Sequence, residues 1–220
     1  AKELENLIFK KELSPEDTAA VFVEPVQGEG GYIVPPPEFH KEVRKICTDN
    51  NVLLVADEVQ TGCFRTGSFL AMENFGVRAE ISCLAKAIGG GLPMGAMLAD
   101  RELMNWPPGV HSNTFGGNLL ASAASLATLQ FLGKENTKTR VKELGSYIIQ
   151  RLEELQENFP CIGDVRGLGL MIGVEIVKER ILLLPCGDSV IRFSPPLVIT
   201  TEEVDLGLEK FENALRRTTR

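Results

Sequence analysis

Residues 52–62, VLLVADEVQTG, are the most informative segment for the fold. Its first five residues are apolar and include no glycine or proline, which is typical of a short buried strand. Asp57 and Glu58 follow the apolar run directly, so two carboxylates stand where the strand ends. A charge at the end of a buried strand must be paired or put to use, and this position is therefore a candidate site.

The segments on either side repeat the pattern. Residues 19–23 (AAVFV) end at Glu24, and residues 81–84 (ISCL) end just before Lys86. Residues 96–98 are a fourth candidate strand. In open α/β sheets, ligands bind beyond the carboxyl ends of the strands, so we expect the charged strand ends to share one edge. A single charged strand end also marks where a strand simply leaves the core.

Between the first two runs, residues 37–50 place Phe39, Val43, Ile46 and Cys47 at helical spacing. A strand, a helix and a strand in this order predict a parallel sheet with a crossover helix. Three further helices and two further strands are expected. The helices are 119–132, 136–159 and 202–217, and the strands are 169–177 and 190–193.

The order of these elements predicts two domains. Residues 1–132 form part of a large α/β domain with a mostly parallel sheet, and residues 133–220 form a smaller α+β domain. The sequence contains neither repeats nor a low-complexity linker.

Composition excludes several classes of function. The chain has 220 residues and a net charge of −7, which disfavours binding to nucleic acid or to an anionic membrane surface. No apolar run reaches the roughly 18 residues of a spanning helix. The five widely spaced cysteines indicate reduced thiols and a cytoplasmic protein. The two histidines belong to no ligand cluster, so no metal site is expected.

Lys86 is the most informative single residue. It lies in LAKAIGGG, residues 84–91, among apolar neighbours that disfavour a charged ammonium and favour a nucleophilic amine. A neutral amine attacks aldehydes and forms Schiff bases. The following glycines let the backbone approach a bound ring closely. The alternative is a surface lysine beside a flexible loop.

Asp57 complements this lysine. A pyridine nitrogen stays protonated only beside a carboxylate, and a protonated ring withdraws electrons from a bound substrate. An amine and a carboxylate at the strand ends of one sheet together suit a pyridine aldehyde cofactor.

Five segments then match a known family in the correct order. They resemble motifs of class III aminotransferases, which depend on pyridoxal 5'-phosphate, and they extend across nearly the whole chain. The segments are VEPVQGEGG (23–31), ADEVQTG (56–62), LAKAIGGG (84–91), SNTFGGN (112–118) and VRGLGL (165–170).

The resemblance implies fold type I, an obligate homodimer or a dimer of dimers, and a set of cofactor contacts. Lys86 would hold the cofactor as a Schiff base and move protons at the substrate carbon. Asp57 would pair with the pyridine nitrogen, Val59 would pack on one ring face, and Gln60 would contact the phenolic oxygen. Thr114 would bind the phosphate in the partner subunit's site. Alternatively, Thr114 shapes a glycine turn and Gln60 caps a loop.

The resemblance also implies substrate contacts. Arg166 would bind a substrate carboxylate, for which a planar bidentate donor is suited. Glu29 would pair with Arg166 when no carboxylate is bound, and Glu24 would support the site. The alternative is that Arg166 forms a structural ion pair with Asp164 or Glu175.

The implied activity is transfer of an amino group from an omega-amino acid to a 2-oxo acid such as 2-oxoglutarate. We expect 4-aminobutyrate as the donor, with ornithine or acetylornithine as further candidates. The alternatives are an amino-acid racemase or epimerase of the same family and a non-catalytic subunit that kept the fold. A nucleotide-binding domain is disfavoured because no GxGxxG follows the first strand.

The sequence departs from the family pattern in several places. Phe64 stands where relatives usually have glycine. The family has a phosphate-binding turn and a stacking aromatic residue before the point where this chain begins, so we expect the chain to be a fragment. A helix usually separates the strand at residues 169–177 from one like residues 182–185, so we also expect an omitted segment near residues 179–182.

Overall fold

The computed structural model describes residues 1–134, 136–177, 185–186 and 189–218. The expected omission near residues 179–182 lies outside the described residues. The chain divides into two compact units, each assembled from several segments. The first unit contains Ala1–Pro25, Pro35–Cys63 and Ser68–Glu135, and the second contains Val26–Val34, Phe64–Gly67 and Asn136–Arg220.

A four-stranded sheet organises the first unit. Its strands are β1 (Ala20–Val23), β2 (Leu53–Asp57), β3 (Ile81–Leu84) and β4 (Ala96–Ala99). They lie in the order β1-β2-β3-β4, with the first three parallel and β4 antiparallel to β3. The predicted mostly parallel sheet is therefore confirmed.

Helices of the first unit follow the predicted pattern. Helix α1 (Phe39–Asp49) connects β1 to β2, and its buried Val43 and Cys47 pack in one cluster with Leu54 and Ala56 of β2. Because an apolar stripe recurs every three or four residues, one face of α1 covers the sheet. Helix α2 spans Leu119–Lys134. The shorter segments are a π-helix at Leu4–Glu12 and 3-10 turns at Pro15–Asp17, Ala71–Phe75, Lys86–Gly89 and Arg101–Leu103.

The second unit contains an antiparallel sheet and two long helices. The helices are α3 (Thr137–Asn158) and α4 (Thr201–Thr218), and the strands are β5 (Ile162–Leu168), β6 (Met171–Ile176), β7 (Pro185–Cys186) and β8 (Val190–Phe193). The sheet order is β5-β6-β8-β7, and every neighbouring pair is antiparallel.

Apolar stripes on both helices form the core of the second unit. Successive buried residues are three or four positions apart in each helix, so they line a single face. These faces share one buried cluster with Ile172 and Val174 of β6. The helix residues in the cluster are Val141, Leu144, Ile148, Leu152 and Leu155 of α3 and Val204, Leu208, Phe211 and Leu215 of α4.

Strand β5 was not predicted from the sequence. It lies at an edge of the sheet, and most of its residues are half-buried or exposed. Gly163, Asp164 and Gly167 interrupt the alternation that identifies a strand. Pairing with β6 through Arg166↔Gly173 and neighbouring residues makes it a strand. Tertiary pairing therefore overrides a weak local preference here.

Two consecutive residues with side chains adopt left-handed backbone conformations. Cys63 has a φ of 54° and Phe64 a φ of 69°. A side chain at such a φ costs roughly 1–2 kcal/mol, whereas glycine adopts it freely. Phe64 therefore occupies a backbone position that suits the glycine expected there from the family pattern.

Replacing Phe64 separates this backbone strain from the packing of its ring. Phe64→Ala and Phe64→Gly both remove the ring, but only glycine relieves the strain. We expect the glycine variant to exceed the alanine variant in free energy of unfolding by about 1–2 kcal/mol, measured by chemical denaturation. Equal stabilities, or a more stable alanine variant, would show that the φ of 69° imposes no cost.

Candidate functional site

Three charged residues lie at the carboxyl ends of neighbouring strands in the first unit. Glu24 directly follows β1, Asp57 is the last residue of β2, and Lys86 comes two residues after the end of β3. The strands are parallel, with Val23 opposite Ala56 in the register. Neighbouring strands are about 4.8 Å apart. The structure therefore brings the three predicted residues to one edge of the sheet.

A hydrogen bond orients the carboxylate of Asp57. The backbone N–H of Val59 donates to Asp57 Oδ1 over 3.1 Å, and the Asp57 side chain is half-buried. Cys83 lies opposite Asp57 in the register of β2 and β3. Burial, with a further contribution from the Asp57 charge, raises the pKa of the Cys83 thiol. The Asp57 charge thus acts on the neighbouring strand as well as on its own.

Lys86 has a strained backbone and an exposed side chain. Its φ is 51°, in the left-handed region that residues with side chains rarely adopt. Such strain persists only where surrounding structure imposes it, and it clusters at functional sites. The expectation of a poorly solvated amine is wrong for this structure. In the same 3-10 turn, the side chain of Ile88 packs in a buried cluster with Leu84, whereas Lys86 is exposed.

Glu58 is a buried carboxylate that the sequence did not assign a role. Its side chain is only 1% exposed and accepts three hydrogen bonds. The donors are the Thr61 hydroxyl at 2.6 Å and the backbone N–H groups of Ala71 at 2.9 Å and Met72 at 3.0 Å. Burial raises the pKa of Glu58 despite these donors. Glu58 thereby anchors the loop that contains Val59 and the half-buried Gln60.

Thr114 lies in an exposed turn that precedes α2. Asn113 Oδ1 accepts hydrogen bonds from the backbone N–H groups of Phe115 and Gly116, each at 3.0 Å. Asn118 Oδ1 accepts from Ala121 N at 2.9 Å and caps the helix. Both side chains use the local bonding typical of turns and helix starts. The turn presents Thr114 to solvent rather than to the first unit's own core.

A row of opposed residues crosses the sheet of the second unit. Arg166 of β5 is opposite Gly173 of β6, and Gly173 is opposite Arg192 of β8. Directly opposed residues of antiparallel strands project on the same face, so the two arginines lie about 10 Å apart with the glycine between them. A Cβ at Gly173 would meet Tyr32 Cβ at 3.1 Å. We call Arg166, Gly173 and Arg192 the arginine row.

Two acids and a carbonyl hold Arg166. Its Nη1 contacts Asp164 Oδ2 at 2.5 Å and Glu175 Oε2 at 2.9 Å, and its Nε donates to the Gly31 carbonyl at 3.0 Å. Burial disfavours the charged guanidinium, but the bonds to Asp164 and Glu175 outweigh it and raise the pKa of Arg166. The structural ion pair left open by the sequence is therefore present.

Glu29 pairs with Arg192, and the expected pair between Glu29 and Arg166 is wrong. Arg192 Nη1 contacts Glu29 Oε1 at 2.5 Å. The physical reason is that Asp164 and Glu175, on β5 and β6, already neutralise Arg166. Sequence reasoning missed Arg192, whose only signal was a charged residue inside the short apolar strand VIRF.

The Glu29–Arg192 pair is asymmetric in its exposure. The side chain of Glu29 is 70% exposed, whereas that of Arg192 is 25% exposed. An exposed carboxylate gains little from an ion pair and separates from it readily. The pair therefore joins a mostly exposed acid to a largely covered arginine.

Across the described ranges, no three His, Cys, Asp or Glu side chains are placed to hold a metal ion. Within the same ranges, no helix has both the length and the apolar character needed to cross a bilayer.

Comparisons with known proteins agree on one family. The family model for class-III aminotransferases matches residues 1–215. The chain is 48% identical over 210 residues to an acetylornithine aminotransferase of Methanosarcina mazei, covering 90% of this chain and 52% of that protein. It is 44% identical over 215 residues to an ornithine aminotransferase of Staphylococcus carnosus, covering 92% and 54%. The chain thus spans about half the length of these relatives.

Solved structures give the same result. The chain superposes on an amine transaminase from an uncultivated Pseudomonas species with a TM-score of 0.90 and 32% identity, covering 99% of this chain and 56% of that one. An ornithine aminotransferase from Toxoplasma gondii gives a TM-score of 0.88 and 36% identity, covering 94% and 52%. The expectation of an aminotransferase fold, present in part, is confirmed.

The hydrogen bonds of Glu58 generate a stability prediction. In Glu58→Gln, one acceptor oxygen becomes an NH2 group that faces backbone N–H donors. We expect the free energy of unfolding to fall by about 1–3 kcal/mol, measured by chemical denaturation.

Glu73→Gln is the matched control. Glu73 is exposed, and its Oε1 accepts one bond from Leu70 N at 3.2 Å, which glutamine can also accept. We expect a change of about 0.5 kcal/mol or less. Equal effects of the two substitutions would contradict an anchoring role for Glu58.

Proposed function

The chain belongs to the class-III aminotransferase family, and we propose that the whole protein is a pyridoxal-phosphate-dependent transaminase. The observation that carries the proposal is the placement of Lys86 and Asp57 at the ends of the adjacent parallel strands β3 and β2. An amine and a carboxylate at adjacent strand ends can serve the aldehyde and the ring nitrogen of one cofactor.

The residues present fit this cofactor. Asp57 uses Oδ1 for its bond to Val59 N, and among the described residues no donor is bonded to Oδ2. The Lys86 amine is exposed and free to condense with an aldehyde. Gly91, with a φ of 97°, has nothing within 4 Å of a built Cβ, so the backbone after Lys86 leaves open space.

Pyridoxal phosphate, when bound, supplies an aldehyde for amine condensation and a ring that withdraws electrons. Lys86 Nζ would hold the aldehyde carbon and, once displaced by a substrate amine, take the proton from the carbon that bears the amino group. Asp57 would keep the proton on the ring nitrogen, because a nearby carboxylate favours that positive charge.

Other residues of the first unit would complete the cofactor site. We assign Val59 to one ring face and Gln60 to the phenolic oxygen, both on the loop anchored by Glu58. Glu24 would support the site from the end of β1. Thr114 is exposed in its turn, which supports phosphate binding in the partner subunit of a homodimer.

We further assign residues 1–132 to the large cofactor-binding domain and residues 133–220 to the small domain. We place the protein in the cytoplasm. The thiols of Cys47, Cys63 and Cys83, which form no disulfide among the described residues, support a reducing compartment.

The Glu29–Arg192 pair supports substrates of two kinds. A 2-oxo acid such as 2-oxoglutarate would place a carboxylate on Arg192 and displace Glu29. The amino end of an omega-amino acid carries no carboxylate and would leave the pair intact. The names of the relatives favour acetylornithine or ornithine as the donor, and 4-aminobutyrate stays a candidate. Arg166, held by two acids, is less available than Arg192.

Lys86 can be tested directly. In the whole protein, borohydride reduction should join pyridoxal phosphate to Lys86, as shown by peptide mapping. Lys86→Ala should abolish the label and lower kcat by about 10²–10⁴-fold. Lys45→Ala is the control, since Lys45 is an exposed helix residue paired with Asp49. Label on another lysine, or formation of a D-amino acid without an oxo acid, would overturn the proposal.

The substrate carboxylate gives a second test. Loss of a charge-assisted bond at Arg192→Gln should raise the KM for 2-oxoglutarate by about 10–100-fold. Arg166→Gln should raise it less, because Arg166 is engaged with Asp164 and Glu175. Steady-state kinetics of both variants measure the difference. A larger rise in KM for Arg166→Gln than for Arg192→Gln would show that Arg166 binds the substrate carboxylate.

A further inference from the structure

Arg65 is a half-buried arginine of the second unit that binds backbone carbonyls. Its Nη1 donates to the Leu170 carbonyl at 3.1 Å and to the Pro195 carbonyl at 2.5 Å. No ion pair joins it to an acid in the part of the chain that the structure describes. Burial lowers the pKa of its guanidinium. Since a buried charge without an acid is costly, its carbonyl partners must offset that cost.

One partner is the turn between β5 and β6. Leu170 donates its N–H to the Arg65 carbonyl at 2.9 Å, so the two residues are bonded in both directions. Gly169 has a φ of 58° and lies against the backbone of Arg65, since a Cβ at Gly169 would be 2.8 Å from Arg65 O. The turn is therefore fixed to Arg65 through backbone and side chain.

The other partner lies just beyond β8. Phe193, opposite Ile172, is the last residue of β8 in the register with β6. Pro195 and Pro196 have no N–H to donate, so the strand pairing cannot continue through them. Arg65 supplies a donor to the Pro195 carbonyl, three residues after Arg192. It thereby ties the free end of β8 to the turn that precedes β6.

We propose that Arg65 is a positioning residue for Arg192, an inference that rests on the proposed function of the Glu29–Arg192 pair. Arg65 binds both the turn before β6 and the segment after β8, and Arg192 lies on β8 between these two fixed points. Without its bonds, the end of β8 loses a fixed point and the Arg192 guanidinium loses its orientation. Arg65 itself touches no substrate.

Arg140 makes a similar pair of bonds farther along the same segment. Its Nη2 donates to the carbonyls of Leu197 and Ile199, both at 2.9 Å. These carbonyls lie five and seven residues after Arg192, and Arg140 is exposed. Arg140 therefore fixes the approach to α4 rather than the end of β8, and it provides a matched control.

The test uses the whole protein loaded with pyridoxal phosphate, and glutarate as a dicarboxylate probe. Arg65→Met keeps the side-chain volume and removes every donor. We expect it to raise the Kd of glutarate, measured by calorimetry, and the KM for 2-oxoglutarate by about tenfold, with kcat within about twofold. Arg65→Lys, whose ammonium nitrogen still donates hydrogen bonds, should restore part of the affinity. If the methionine variant does not fold, the lysine variant carries the test.

Arg140→Met should leave the glutarate Kd within about twofold of the wild type. An unchanged Kd in Arg65→Met or, failing that, in Arg65→Lys overturns the inference. An equal loss of glutarate affinity in Arg140→Met also overturns it, because any disturbance of the segment after β8 would then have the same effect. An inactive wild type overturns the proposed function instead, and this outcome is recognised before any variant is compared.

Discussion

Parallel pairing of three short strands is the constraint on which the candidate site depends. Backbone hydrogen bonds set β1, β2 and β3 side by side and in one direction, so residues after their carboxyl ends must share an edge. Glu24, Asp57 and Lys86 are distant in sequence but follow the ends of consecutive strands. In β2 the apolar residues Leu54, Val55 and Ala56 are buried, and Asp57 follows them directly at the strand end.

In the second unit, strand register brings two positive charges to the same face of a sheet. It places Arg166 and Arg192 on one face of the sheet, on either side of Gly173. Acids on β5 and β6 neutralise Arg166, whereas the acid for Arg192 comes from the separate segment Val26–Val34. Glu29 itself is 70% exposed, although the segment that carries it contains the buried Val26 and Tyr32. The two arginines of the row therefore have acids from different parts of the chain.

Glu58 and Arg65 have opposite charges, but the side chains of both are hydrogen-bonded to backbone groups. Each is removed in part from water, and each is bonded to backbone groups of a loop or a strand end. Such bonds hold irregular backbone that no strand or helix ladder can satisfy. Both residues stand beside candidate functional residues without being among them, since Glu58 follows Asp57 and Arg65 binds close to Arg192. They fix the loops on which those candidate residues depend.

Local sequence patterns were enough to predict the strands that end in charge, the apolar helix stripes and the family, because these depend on residues close together in the chain. The bounds of β3 and β8 agree with the apolar runs from which they were predicted. Three features became visible in the folded chain alone: β5 is a strand, Lys86 is exposed, and Glu29 pairs with Arg192 rather than Arg166. These depend on which segments meet in space, and an ion pair between residues 29 and 192 leaves no local pattern, since its partners are selected by sheet register and by competing acids.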